Sequence, residues 1–131
     1  IKLTVFKYEA SEGIELFIAY EDVKQDILIG YIRLRIPSEK AFRPEITEKP
    51  SGIVRALHVY GTVVPVGQKS LKVPSSWQHQ NFGYKLLKAA ENIGMNEYDI
   101  KKILVISGIG VREYYYKFGY KPDGPYVSKV L

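Results

Sequence analysis

The hydrophobic period of this chain first changes at Asn81. Upstream, apolar residues alternate with polar ones, the period of a half-buried strand. From Asn81 to about Tyr98 they recur as Phe82, Leu86, Ala90 and Ile93, the stripe of an amphipathic helix, with Lys85, Lys88, Glu91 and Asn92 facing away. Apolar runs rich in β-branched residues lie on both sides, at Ile53 to Val66 and Lys102 to Ser107. The passage predicts one strand–loop–helix crossover at the centre of the chain.

Three strands precede it. Leu3 to Tyr8 is apolar, Ala10 to Gly13 reads as a hairpin turn, and Ile14, Leu16, Ile18 and Tyr20 alternate with Glu15, Phe17, Ala19 and Glu21. A third strand spans Ile27 to Ile36. One face carries Leu28, Ile32, Leu34 and Ile36; the other carries Tyr31, Arg33 and Arg35. Pro37 ends it, and a polar loop or short helix runs to Pro50. Gly61 marks an expected bulge in the fourth strand, and Gly67 to Ser76 reads as a loop. After the crossover come a second helix, Val111 to Phe118, closed by Gly119, and a last strand or pair of strands from Tyr120 to Leu131. The predicted order is ββββ–α–β–α–β, an α+β layout around a mixed sheet. At 131 residues this suits one domain.

Composition removes several chemistries. The chain has no cysteine, so disulfides, thiol catalysis and Cys-ligated iron–sulfur or zinc sites are excluded. His58 and His79 are the only histidines, too few for a His-rich metal site. No apolar run reaches the roughly 18 residues of a membrane span. No signal peptide opens the sequence, so the expected compartment is the cytoplasm. The first residue is Ile1 and not Met, as in a piece of a longer protein.

The net charge of +5 favours an anionic partner, and its distribution is informative. No acid lies between Glu48 and Glu91, where average composition predicts about 4.5. Lys49, Arg55, Lys69, Lys72, Lys85 and Lys88 fall in that gap. Gln78-His79-Gln80-Asn81-Phe82-Gly83 opens the predicted helix at its centre. Free N–H groups and the helix dipole make such a terminus suited to a phosphate. An ordinary polar turn reads equally well there. The Gly-Lys-[Ser/Thr] ending of a Walker loop is missing.

Tyrosine is abundant, with eleven in the chain and three in a row at Tyr114, Tyr115 and Tyr116. On a helix they point about 100° apart and cannot share one role. A phenol, with a pKa near 10, is suited to protonate a leaving thiolate of similar basicity. Core packing is the competing reading for each.

Taken together, the strand, the Gln-x-x-x-x-Gly loop, the helix–strand–helix and the Tyr-x-x-x-Gly-Tyr ending at Tyr120 resemble the acetyl-CoA core of the GNAT acetyltransferases. Ile53-Val54-Arg55, Leu57-His58-Val59-Tyr60-Gly61, Val63-Val64-Pro65-Val66, Gln78-His79-Gln80, Val105-Ile106-Ser107-Gly108, Tyr114-Tyr115 and Gly124-Pro125-Tyr126 are similar to the acetyltransferase domain of the Elongator catalytic subunit. Asp26-Ile27-Leu28-Ile29-Gly30 and Phe42-Arg43-Pro44-Glu45 extend the match. The resemblance implies a GNAT-like mixed sheet with an acetyl-CoA cleft between two splayed parallel strands, around Leu57 and Val105. It implies an acyltransferase acting with a radical S-adenosylmethionine domain, absent here with its iron–sulfur cluster, in carboxymethyl modification of a tRNA wobble uridine. Implied partners are tRNA, that radical domain and other Elongator-type subunits.

By the same resemblance Leu57, His58 and Val59 pair with the pantetheine, Gln78 stands at the loop entrance, and the amides of Gln80, Asn81, Phe82, Gly83 and Tyr84 take the pyrophosphate. Tyr115 falls at the usual position of the acid, with Tyr114 beside it. His58 is a candidate base or water-positioning group, and equally a structural histidine. Arg33, Arg35, Arg112 and Lys117 are candidates for tRNA phosphates. Two positions depart from the family pattern: Asn81 replaces the first loop glycine, and Ala56 replaces a glutamate. Other readings are a non-catalytic CoA- or RNA-binding module and a protein lysine acetyltransferase, which would need a base.

Overall fold

The computed structural model describes residues 1–10, 13–37, 49–60, 81–107 and 111–131. Four strands come first: β1 (Lys2–Ala10), β2 (Gly13–Asp22), β3 (Ile27–Ile36) and β4 (Ser51–Val59). Helix α1 (Phe82–Tyr98), β5 (Lys102–Val105), helix α2 (Arg112–Tyr116), β6 (Lys121–Asp123) and β7 (Tyr126–Val130) follow. They build a seven-stranded sheet in the order β1-β2-β3-β4-β5-β7-β6. All pairs are antiparallel except β4 and β5, the expected parallel neighbours. The last segment is a pair of strands, turning at Gly124 with φ 60°. Among the described residues no helix is long and apolar enough to cross a membrane.

The core lies between the sheet and the helices. Leu16, Ile18, Ile32, Leu34, Val54, Ile103, Val105 and Val127 face Leu86, Leu87 and Ala90 of α1 and Tyr115 of α2. Helix α1 starts at Asn81, which takes the left-handed conformation (φ 59°, ψ 37°) and provides no side-chain cap. Asparagine enters this region at lower cost than most residues with a Cβ. A cap is worth about 1 kcal/mol. Burial of Phe82 and Leu86, at about 1.5–3 kcal/mol each, outweighs its loss. Gly119, at φ 93°, closes α2 as expected.

Two bulges alter the faces read from alternation. Tyr20 pairs with Gly30 but Glu21 pairs with Leu28, so Ile29 is the extra residue of β3. Ile29 is fully buried against Phe82, whereas Leu28, expected on the buried face, is only half-buried. In β4, Ala56 pairs with Arg33 but Val54 pairs with Leu34, leaving Arg55 as the extra residue. An inserted residue shifts the side-chain alternation by one. The bulge expected at Gly61, the strand beyond Tyr60, the segment before Glu48 and the loop through Ser76 lie outside the described residues.

Glu91 is also corrected. The helical stripe placed it toward solvent, but it is 2% exposed. Tyr120 Oη donates to its Oε2 at 2.9 Å, Lys129 Nζ lies 3.4 Å from both carboxylate oxygens, and Lys88 Nζ is 3.6 Å from Oε1. These contacts tie α1 to the end of α2 and to β7. A buried carboxylate deprived of its short hydrogen bond is costly. Tyr120→Phe is therefore expected to destabilise the fold by about 1–3 kcal/mol. Urea unfolding checks this: the midpoint should fall with an unchanged slope.

Candidate functional site

β4 outruns its parallel partner. The two strands pair over Ser51–Lys102, Gly52–Ile103, Ile53–Leu104 and Val54–Val105, and Ile106 N–H donates to Val54 O at 3.1 Å. β5 ends at Val105, while β4 continues to Val59. The strands therefore part just beyond Val54, before Leu57. Tyr60 N–H donates to Ile29 O on the β3 side at 2.8 Å. Peptide groups alternate along a strand. His58 therefore also turns its peptide groups toward β3, and Leu57 and Val59 turn theirs to the other edge, which β5 no longer covers. An unpaired strand edge offers a ladder of donors and acceptors.

A cavity of about 450 Å³ opens at this point, lined by Leu57, Val59, Gly83, Val111, Tyr114 and Tyr115. The walls are largely apolar, with two phenols. The N-terminal turn of α1 forms one side. Its first internal hydrogen bond runs from Lys85 N–H to Asn81 O. The amides of Phe82, Gly83 and Tyr84 thus have no acceptor within the helix. No acidic residue occupies this first turn. The arrangement presents partial positive charge to an anion.

Gly83 is required by a close approach. A Cβ there would collide with the Tyr114 hydroxyl, which rests against the helix turn. The Tyr114 ring is held edge-on by Tyr115 at 5.3 Å and Phe118 at 5.2 Å. Lys117 Nζ lies 5.2 Å from its centroid. Burial raises the Tyr114 pKa above the ordinary phenol value. Tyr115 is more deeply set, 8% exposed, and packs on Tyr120 at 6.0 Å. Burial, followed by the nearby Tyr114, pushes its pKa up to about 12. It therefore keeps its proton at neutral pH. Tyr116 points away and is 38% exposed.

The structure gathers Leu57, Val59, Gly83, Tyr114 and Tyr115 around one cavity. His58 is on the opposite face of the sheet, exposed, with its ring 4.3 Å from Tyr60 and 6.0 Å from Tyr31. Ala56 shares the His58 face by alternation, away from the cavity. Phe82 is buried against Ile29, Tyr84 lies tilted against Phe118 at 5.0 Å, and Asn81 is exposed at the helix start. Gln78, His79 and Gln80 lie outside the described residues. Val111 was missed by the sequence reading. Its spacing to Tyr114 and Tyr115, three and four residues, is that of one helix face and is the signal that would have found it.

No family model matches the chain. It is 56% identical over 124 residues to Elongator complex protein 3 of Schizosaccharomyces pombe, covering 95% of this chain and 22% of that protein. It is 53% identical over 131 residues to tRNA uridine(34) acetyltransferase of Methanocaldococcus jannaschii, covering 100% of this chain and 24% of the relative. A solved archaeal Elp3 from Methanocaldococcus infernus, carrying an N-terminal deletion, superposes with a TM-score of 0.86 and 50% identity over 99% of this chain and 30% of that one. Tetrahymena GCN5 superposes with a TM-score of 0.55 at 14% identity, over 92% of this chain and 69% of that one, a likeness of fold. The chain spans about a quarter of the length of the curated relatives it matches.

The contact between Gly83 and Tyr114 yields a double-mutant test. Gly83→Ala adds helix propensity worth about 1 kcal/mol but forces the hydroxyl out of its seat. The single variant is expected to be less stable than wild type, and the same change in a Tyr114→Phe background close to neutral. Unfolding free energies of the four proteins should give a coupling of about 0.5–3 kcal/mol, in the sense that losing the hydroxyl relieves the alanine.

Proposed function

Since the chain is a homologue of one stretch of the Elongator complex protein 3 and tRNA uridine(34) acetyltransferase family, we propose that it is the acetyl-CoA-using unit of a longer enzyme that modifies a uridine of tRNA. The observation that carries this reading is the edge at Leu57 and Val59, unpaired among the described residues and set between the N-terminal turn of α1 and the Tyr115 hydroxyl.

The residues fit such a ligand in three respects. An extended amide-containing arm would add to the free edge of β4 as a further strand does. A pyrophosphate would meet the amides of Phe82, Gly83 and Tyr84, where Gly83 leaves the backbone bare. Leu57, Val59 and Val111 shield the reacting end from water. Acetyl-CoA supplies a two-carbon acyl group activated as a thioester. Tyr115 holds its proton at Oη and delivers it toward an anion developing in the cavity. Neither its hydroxyl nor that of Tyr114 has a hydrogen-bond partner among the described residues.

The competing amine reaction needs a base to take a proton from an ammonium group. Among the described residues, the cavity walls carry no carboxylate and no imidazole. This favours a donor role over lysine acetylation. The missing glutamate at Ala56 weighs little against cofactor use, because that position faces away from the cavity.

Calorimetry tests the site, and turnover tests the donor. Acetyl-CoA should bind, and Gly83→Asp, which puts bulk and negative charge beside the helix turn, should abolish binding. Unchanged affinity would refute the assignment. For chemistry, the chain is grafted in place of the matching stretch of the archaeal relative. Tyr115→Phe should then lower tRNA-stimulated acetyl-CoA hydrolysis by about 10²–10⁴-fold with affinity preserved. Wild-type turnover in that variant would assign the tyrosine to packing alone.

A further inference from the structure

The bulge of β4 is fastened on the side of the sheet turned away from the cavity. Leu16 and Ile18 of β2 face the core, so alternation turns Glu15 to the far face. Its side chain is nonetheless only 5% exposed. Arg35 of β3, directly opposite Glu15, sets Nη1 3.4 Å from its Oε1. Arg55, the extra residue of β4, sets its own Nη1 3.5 Å from the same oxygen. One buried carboxylate thus reaches across three neighbouring strands to the inserted residue. Its second oxygen, Oε2, is buried with no hydrogen-bond partner among the described residues.

Two registers compete at this point. Pairing Arg55 directly with Arg33 would continue the ladder that runs through Ile53–Arg35 and Val54–Leu34. It would set two guanidinium groups side by side, and like charges directly opposite one another are unfavourable. It would also move every later residue by one place, turning Leu57 and Val59 to the far face and His58 toward the cavity. The observed register instead sets the uncharged Ala56 opposite Arg33 and leaves Arg55 over. Glu15 stands in the row of Arg35 and Ile53, whereas Phe17 stands in the row of Arg33 and Ala56. The attraction of Glu15 for Arg55 therefore acts away from Arg33, in the sense that favours the bulge. A carboxylate taken out of water is costly unless cations stand close to it, which gives that attraction its weight.

We infer that Glu15 is a positioning residue for the cofactor edge: through Arg55 it holds the bulge, and the bulge holds Leu57 and Val59 in the phase that faces the cavity. The consequence for ligand binding rests on the cofactor reading proposed above, whereas the link from Glu15 to the bulge does not. Glu15 is not among the residues that line the cavity, which lies on the other face of β4. Its effect on a ligand is carried by the register of the backbone.

Amide exchange without ligand and calorimetry with acetyl-CoA test this in wild type, Glu15→Gln, Arg55→Met, Arg55→Lys and the double variant Glu15→Gln/Arg55→Met. In wild type, His58 and Tyr60 should exchange slowly, and Leu57 and Val59 fast. Glu15→Gln keeps the shape of the side chain and removes its charge. Most of that contrast should be lost, and acetyl-CoA affinity should fall about tenfold. Arg55→Met should do the same, and it leaves Glu15 its pair with Arg35, so it serves as the folded variant if Glu15→Gln unfolds. Arg55→Lys, which keeps the cation, should match wild type in both measurements. The double variant should be no worse than either single change, since each breaks the same link. A lower urea midpoint with exchange contrast and affinity unchanged would assign the pair to stability alone and overturn the inference. Additive losses in the double variant, or no rescue by lysine, would overturn it as well. If wild type binds no acetyl-CoA, the cofactor reading fails, and the exchange contrast of the free proteins still decides the link from Glu15 to the bulge.

Discussion

Beyond Val54, strand β4 has a partner on one edge only among the described residues, and the rest of the site follows from that asymmetry. Backbone groups that stay unpaired must find water, a ligand or another strand. The parting of β4 and β5 therefore creates a row of directional donors and acceptors at a fixed place. The bulge at Arg55 decides which groups form it. Val54 spends its carbonyl on Ile106, and after the inserted residue it is Leu57 and Val59 that turn toward the gap. The same inserted residue sends their side chains into the cavity and sends His58 to the other face.

The helices hold this gap in shape through few contacts. Helix α1 is pinned near its middle by Glu91, whose carboxylate gathers Tyr120, Lys129 and Lys88. At its N-terminal end it meets Tyr114 across the bare backbone of Gly83. Tyr115 and Tyr120 then link α2 to the same core. Burial that supports packing also keeps the Tyr115 phenol protonated, so one physical cause fixes both the wall of the cavity and the protonation state of this side chain.

Much of this was legible in the sequence. The change of period at Asn81 marked the crossover and with it the parallel pair. Asn81 itself suited the left-handed turn it takes, and Gly119 the helix end it closes. The tyrosines at 114 and 115 were visible as candidates, although periodicity alone left open that both would line one cavity. What escaped was non-local. A bulge carries no fixed residue signature, so the burial of Ile29 and the outward turn of Arg55 depend on how neighbouring strands register. Glu91 reads as a solvent residue because its partner Tyr120 is 29 positions away. His58 lies within the right strand, and only the phase after the bulge shows which face it takes.

Amide hydrogen exchange at four consecutive positions of β4 and its end tests the central claim most directly. In the free protein, His58 and Tyr60 should exchange slowly, their N–H groups being held by β3, while Leu57 and Val59 exchange fast. Saturating CoA should slow Leu57 and Val59 and leave the other two unchanged. Equal protection of all four amides in the free protein, or no response of Leu57 and Val59 to CoA, would contradict the account.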